Sequence, residues 1–247
     1  MSRPASRNAV IQSLRQRLLT TQQTPKTGSV ISSGLLQLDQ LLPHGGVRAG
    51  SVVECVSSAA GSSAAVLALR CIRQLLKHPG ALAVIDPSQE FNCAAAAAAG
   101  ISLDRLLLIR PSVSGYHTLQ ATRSRLLWSL EQAARCPGVR AVLCWLDRAS
   151  STILRRLQLA VEASGVTVFL VRPESCLALT SWADVRLQLD SAWNANQSAP
   201  MITVRVAHSR HVVEHHGAVR LKVDHETGVV SEVPELANPA TAYSGIR

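Results

Sequence analysis

The sequence predicts an α/β fold: a doubly wound, mostly parallel central sheet with helices on both faces and a C-terminal antiparallel β-meander. Three observations carry that reading. Short apolar runs at 81–85, 106–109, 139–146 and 166–171 lack polar alternation, as strands buried on both faces do. Helix-like segments separate these runs, and that alternation builds parallel strands joined by crossover helices. Beyond residue 183 the pattern changes: 184–189, 202–206 and 219–223 alternate apolar with polar residues, the habit of antiparallel strands with one wet face.

The elements follow in order. Residues 8–20 place Val10, Ile11, Leu14 and Leu18 on one helical stripe, with Arg15 and Arg17 off it. Such a helix either packs on its own domain or acts as an arm on another subunit. A polar linker with Pro25 follows. Residues 32–42 read as a turn and short helix, 44–50 as a glycine-rich turn, and 51–63 as a strand running into a small-residue loop. A helix over 64–77 ends at His78-Pro79-Gly80. A second, over 91–99, is rich in alanine and capped by Gly100. The helix over 118–135 is long and amphipathic. The helix over 150–164 is capped by Ser150 or Ser151 and ended by Gly165. The expected organisation is an N-terminal helix and linker (1–27), one core domain (28–231) and a disordered tail (232–247) carrying Pro234, Pro239 and Gly245.

Composition narrows the class. A chain of 247 residues suits one sizeable domain with short additions, and 47% hydrophobic with 17% charged residues excludes a disordered chain. The net charge of +9 favours an anionic partner such as nucleic acid, while the excess of arginine over lysine also fits a basic proteome. The six cysteines form no CxxC pair and mostly sit in apolar runs, as reduced, buried thiols do. No apolar run reaches the ~18 residues of a membrane span. The expectation is a cytoplasmic protein.

The candidate site lies where the first core strand meets its helix. A strand, a loop ending Gly61-Ser62-Ser63 and then an Ala/Leu helix is the layout of a phosphate-cradling loop. The consensus requires glycine, four residues, then Gly-Lys-Ser/Thr. Here Val56 stands for the first glycine and Ser62 for the lysine; Gly61 and Ser63 fit. Asp147 ends an apolar run as a metal-holding aspartate does in such sites, and as an ordinary helix cap does too. Gly61, Ser62, Ser63 and Asp147 are therefore read as a vestigial nucleotide site, with no catalytic residue among them. His208, His211, His215 and His216 fall in a strand-turn-strand region, where His208 and His211 would point to opposite faces; they are read as solvent-facing, with no metal.

Several motifs stand in a familiar order: Ile31-Ser32-Ser33-Gly34, Leu38-Asp39, Gly45-Gly46, Gly50-Ser51-Val52-Val53-Glu54, Ala83-Val84-Ile85-Asp86, Gly100-Ile101, Asp104-Arg105-Leu106-Leu107 and Ala183-Asp184-Val185-Arg186-Leu187. Over residues 28–223 they resemble the bacterial recombinase RecA. The likeness is closer still to its shortened relatives of the ImuA family, accessory factors of a mutagenic translesion polymerase cassette. The resemblance implies a RecA-like core. It also exposes departures. The loop lysine is Ser62, and the glutamate that orients the attacking water is Ser88, with Glu90 two residues further on as a substitute. The γ-phosphate-sensing glutamine falls near Arg172. The two DNA-binding loops, after Asp147 and after Val171, are cut short. What this implies is a non-hydrolysing accessory protein of the DNA-damage response, without a cofactor. Its partners would be an ImuB-like Y-family polymerase homologue and RecA itself, with DNA contact indirect or weak. Two alternatives stay open. One is an enzyme that binds ATP through backbone N–H groups around residues 59–63; the other is a DNA-binding module relying on charge.

Overall fold

The computed structural model describes residues 28–57, 63–111, 119–192, 201–210, 217–224 and 229–233. The helix expected over 8–20, Gly61, Ser62, His211, His215, His216 and the tail from 234 lie outside the described residues.

Strands β1 (Val30–Ile31) and β2 (Val47–Arg48) form a small antiparallel sheet of their own. At two residues each they are too short to show a period. Between them lie the turn and short helix expected over 32–42, the helix being α1 (Leu36–Leu41). Asp39 builds the turn: its carboxylate accepts the Ser32 hydroxyl at 2.5 Å and the Ser33 N–H at 2.7 Å. The Ile-Ser-x-Gly and Leu-Asp motifs are thus two halves of one hydrogen-bonded lock, with Leu38 buried beneath it.

The core follows: β3 (Val52–Ser57), α2 (Ser63–Leu75), β4 (Ala81–Ile85), α3 (Cys93–Ala98), β5 (Leu106–Ile109), α4 (Leu119–Arg135), β6 (Val139–Trp145), α5 (Ser151–Ser164), β7 (Thr167–Pro173) and β8 (Val185–Ala192). Local chemistry sets the ends. Helix α3 begins two residues later than expected because the Asn92 side chain caps it, accepting from Ala94 N at 2.9 Å and Ala95 N at 3.0 Å. It closes with Ile101 N on Ala96 O and Gly100 N on Ala97 O, a paired C-cap that needs the left-handed φ of +86° at Gly100. Ser150, not Ser151, caps α5.

The remaining strands, β9 (Met201–Ser209), β10 (Ala218–Val223) and β11 (Val230–Glu232), extend one side of a nine-stranded sheet of order β11-β10-β9-β8-β3-β7-β6-β4-β5. Helices α1, α2 and α3 cover one face and α4 and α5 the other, each over its own apolar core. This is the doubly wound, mostly parallel arrangement that the sequence predicts. One strand departs from it. β8 was expected to open the antiparallel meander, yet it runs parallel to β3, with Val53 opposite Val185 and Glu54 opposite Arg186; antiparallel pairing starts with β9. Its alternation has two causes: Val185, Leu187 and Leu189 face one core, while on the other face Arg186 is buried against Glu54 and Gln188 and Asp190 are half-exposed.

All six cysteines are free, and Cys55, Cys71, Cys144 and Cys176 are buried. Burial pushes the Cys71 thiol up to about 12, and Cys55 and Cys144 are raised further by the same cause. Since the thiolate is the nucleophile, a disulfide reagent at pH 8 should react rapidly with the half-buried Cys93 and Cys136 only. The remaining thiols should titrate after urea is added, and rapid reaction of Cys55 or Cys144 in the native protein would contradict this packing. Among the described residues no helix is long and apolar enough to cross a membrane.

Candidate functional site

The C-terminal ends of the parallel strands carry the residues that the sequence singles out. Ser63 opens α2. Its hydroxyl lies 2.9 Å from Ser191 Oγ on β8 and 3.4 Å from Ser57 Oγ at the end of β3. Asp147 follows β6 and is exposed; its carbonyl accepts the Cys176 thiol at 2.9 Å, and helix capping is left to Ser150.

Between the ends of β4 and β6 lies a crevice of about 340 Å³, lined by Ser88, Thr122, Arg123, Asp147 and Arg148 among others. The connection from β4 leaves towards β5 and that from β6 towards β7, so this is the switch point of the sheet, the place where doubly wound folds bind ligands. The structure therefore brings Asp147 together with Ser88, while Ser63 joins Ser57 and Ser191.

Ser88 sits on a loop built around Asp86. That carboxylate is fully buried and accepts from Glu90 N at 2.9 Å, Phe91 N at 3.2 Å and Arg110 Nε at 3.1 Å. Gln89 takes a φ of +60°, the left-handed region that non-glycine residues rarely adopt. Glu90 is exposed at the loop's end.

Sequence reasoning missed a buried charge network. Glu54, Arg172 and Arg186 project from β3, β7 and β8 into the same core face. Arg172 Nη1 and Arg186 Nε each lie 2.6 Å from a separate oxygen of Glu54, and the Ser181 hydroxyl adds a third bond at 2.9 Å. Arg186 also donates to the carbonyls of Leu177 and Leu179, and Arg172 to that of Leu146. The connection between β7 and β8 is thereby pinned to the sheet. The signal was present: a glutamate inside the apolar run Val-Val-Glu-Cys-Val survives burial only with a cationic partner.

On the opposite rim, α4 and α5 pack side by side. Glu131 of α4 accepts from Arg135 and Arg156, all at 2.8 Å, and its carboxyl is held below the usual range chiefly by the Arg156 hydrogen bond. Arg155 stacks on Trp182 with 4.8 Å to the ring centre. Arg123 and Arg125 of α4 and Arg155 and Arg156 of α5 lie on this two-helix layer. His208 is exposed on β9, and no group of metal-ligating side chains occurs among the described residues.

Comparison with known proteins agrees with this geometry. Residues 15–125 match the RecA N-terminal domain family. The chain is RecA-like. It is 38% identical to RecA of Streptococcus agalactiae over 91 residues, 37% of this chain and 24% of that protein. Against RecA of Streptococcus pyogenes serotype M49 (strain NZ131) it is 38% identical over 82 residues, 33% of this chain and 21% of the relative. The chain thus spans about a quarter of the length of the curated relatives it matches. The matched stretch runs from before β1 into α4; it contains the Asp39 lock and the Asp86 loop and includes Gly61.

Proposed function

We propose that this RecA-like chain is a non-hydrolysing accessory protein of DNA-damage-induced translesion synthesis, of the ImuA kind. It acts by protein contacts with an ImuB-like Y-family polymerase homologue and with RecA. The observation that carries this reading is the chemistry of the nucleotide positions. Phosphoryl transfer depends on a cation at the β- and γ-phosphates and a group that orients the nucleophile. Serines, Ser62 and Ser88, occupy both positions, and Arg172 at the sensor position is committed to Glu54. That donor set does not fit a triphosphate held for hydrolysis. The pinned connection after β7 and the few residues between β6 and α5 support weak or indirect DNA contact, as does an aromatic content of 3%. An open edge strand, β5, with Leu107 exposed, offers a partner a place to add a strand.

Co-expression of the full chain with the polymerase homologue from the same genome tests the reading. Stoichiometric co-elution, with ATP turnover no higher than that of an Asp147→Ala variant, is the expected result. Turnover that the Asp147→Ala or Ser62→Ala substitution abolishes would overturn it, as would failure to co-elute.

A further inference from the structure

We propose that the groove between α4 and α5, centred on Trp128, docks an acidic, amphipathic segment of a partner protein. The groove has a volume of about 290 Å³, with Leu127, Ile153 and Leu157 among its lining residues. At its rim Trp128 is 65% exposed, the most exposed aromatic side chain among the described residues. A singly exposed apolar side chain means little by itself. This one stands beside an aliphatic recess and among arginines, the pairing that dominates the centres of protein interfaces.

Charge identifies the occupant. Helices α4 and α5 carry five arginines (Arg123, Arg125, Arg135, Arg155, Arg156) against two glutamates. Both glutamates are already engaged, Glu131 by Arg135 and Arg156 and Glu162 by Arg210 and Gln158. Arg148 adds one more cation beside the layer, its carbonyl accepting from Arg123. The surface therefore keeps a net positive charge that attracts and orients an acidic partner. The aliphatic lining suits Leu- or Ile-type side chains spaced by one helical turn. A nucleic-acid strand fits less well, because Glu131 stays ionised beside the path of its phosphates and a single exposed indole makes no stacking row. Self-association is disfavoured too: another copy brings a net charge of +9, and its 8–20 segment carries Arg15 and Arg17.

This surface rests on the reading that the chain works by protein contact, and the test separates the two. Affinity for the co-purified polymerase homologue is measured by calorimetry for the wild type, Trp128→Ala, Arg156→Glu at the groove's lining arginine and, outside the groove, Leu103→Ala. A photoreactive phenylalanine at position 128 then maps what touches it. Unchanged melting temperatures establish that the variants are folded. Trp128→Ala should weaken binding about thirtyfold, the scale of an interface hot spot. Arg156→Glu should weaken it about tenfold with a loss of salt dependence, and Leu103→Ala should leave it unchanged. The cross-link should land in a segment of net negative charge. Wild-type affinity in both groove variants would overturn the groove while leaving the function intact. A cross-link to a basic segment, to added oligothymidine or to a second copy would overturn the assigned occupant. Absence of any complex with the wild type removes the functional reading and the groove with it.

Discussion

Replacing Glu54 by glutamine should destabilise the protein by about 3–5 kcal/mol, read as a lower urea midpoint with an unchanged slope. The side chains of Arg172 and Arg186 are 0% and 4% exposed, so removal of the one carboxylate between them strands two guanidinium groups away from water. Glutamine preserves the volume and a hydrogen-bonding oxygen. What it removes is the charge and one of the two accepting oxygens, since the amide NH2 only donates, so one guanidinium loses its acceptor as well. Because the network is shielded from solvent, the effect should persist in 1 M salt, where an exposed pair would be screened. Neutralising all three residues with apolar groups of similar volume should recover much of the loss. Recovery stays incomplete, since Arg186 also ties the carbonyls of Leu177 and Leu179. A loss below about 1 kcal/mol for Glu54→Gln would mean that the network is hydrated, at the level of a surface pair.

Asp86→Ala should cost about 3 kcal/mol, because the buried carboxylate satisfies the Glu90 and Phe91 N–H groups and its loss leaves both without that acceptor, while the partly exposed Arg110 keeps the Phe91 carbonyl and water. The loss should be visible locally as faster hydrogen exchange at the Glu90 and Phe91 amides. Asp86→Asn, which keeps one acceptor oxygen, should be milder. The comparison with Asp147→Ala is the informative one. Both aspartates end apolar strands of the same sheet, yet Asp147 is exposed and its change should stay within about 0.5 kcal/mol. Equal losses at the two positions would show that Asp147 is also structural. A small loss at Asp86 would show that its loop folds without it.

Much of the architecture was legible residue by residue. The apolar runs at Ala81–Ile85 and Leu106–Ile109 became strands with those bounds, and Gly100 and Gly165 ended their helices in the left-handed conformation. These signals are local: a strand buried on both faces must be apolar throughout, and a helix end needs a residue that tolerates positive φ. The misses were the start of α3, which the Asn92 cap delays by two residues, and the direction of β8. β8 alternates with Arg186 buried and Gln188 and Asp190 half-exposed, a pattern an antiparallel strand shows equally well. At the candidate site, the serines standing for the lysine and the glutamate were readable one position at a time. That Asp147 shares its crevice with Ser88, and that Ser63 bonds to Ser191, required the fold.

The amino-acid order alone settled the class of fold and the sequence of its elements, because periodicity and caps are written within a few residues. Strand order, the direction of β8 and the partners of buried charges came only with the assembled sheet. Glu54 meets Arg172 across 118 residues of chain and Arg186 across 132. No local period encodes a pairing of that length. It is selected when the sheet closes, because in that interior an unpaired charge costs more than any alternative register regains.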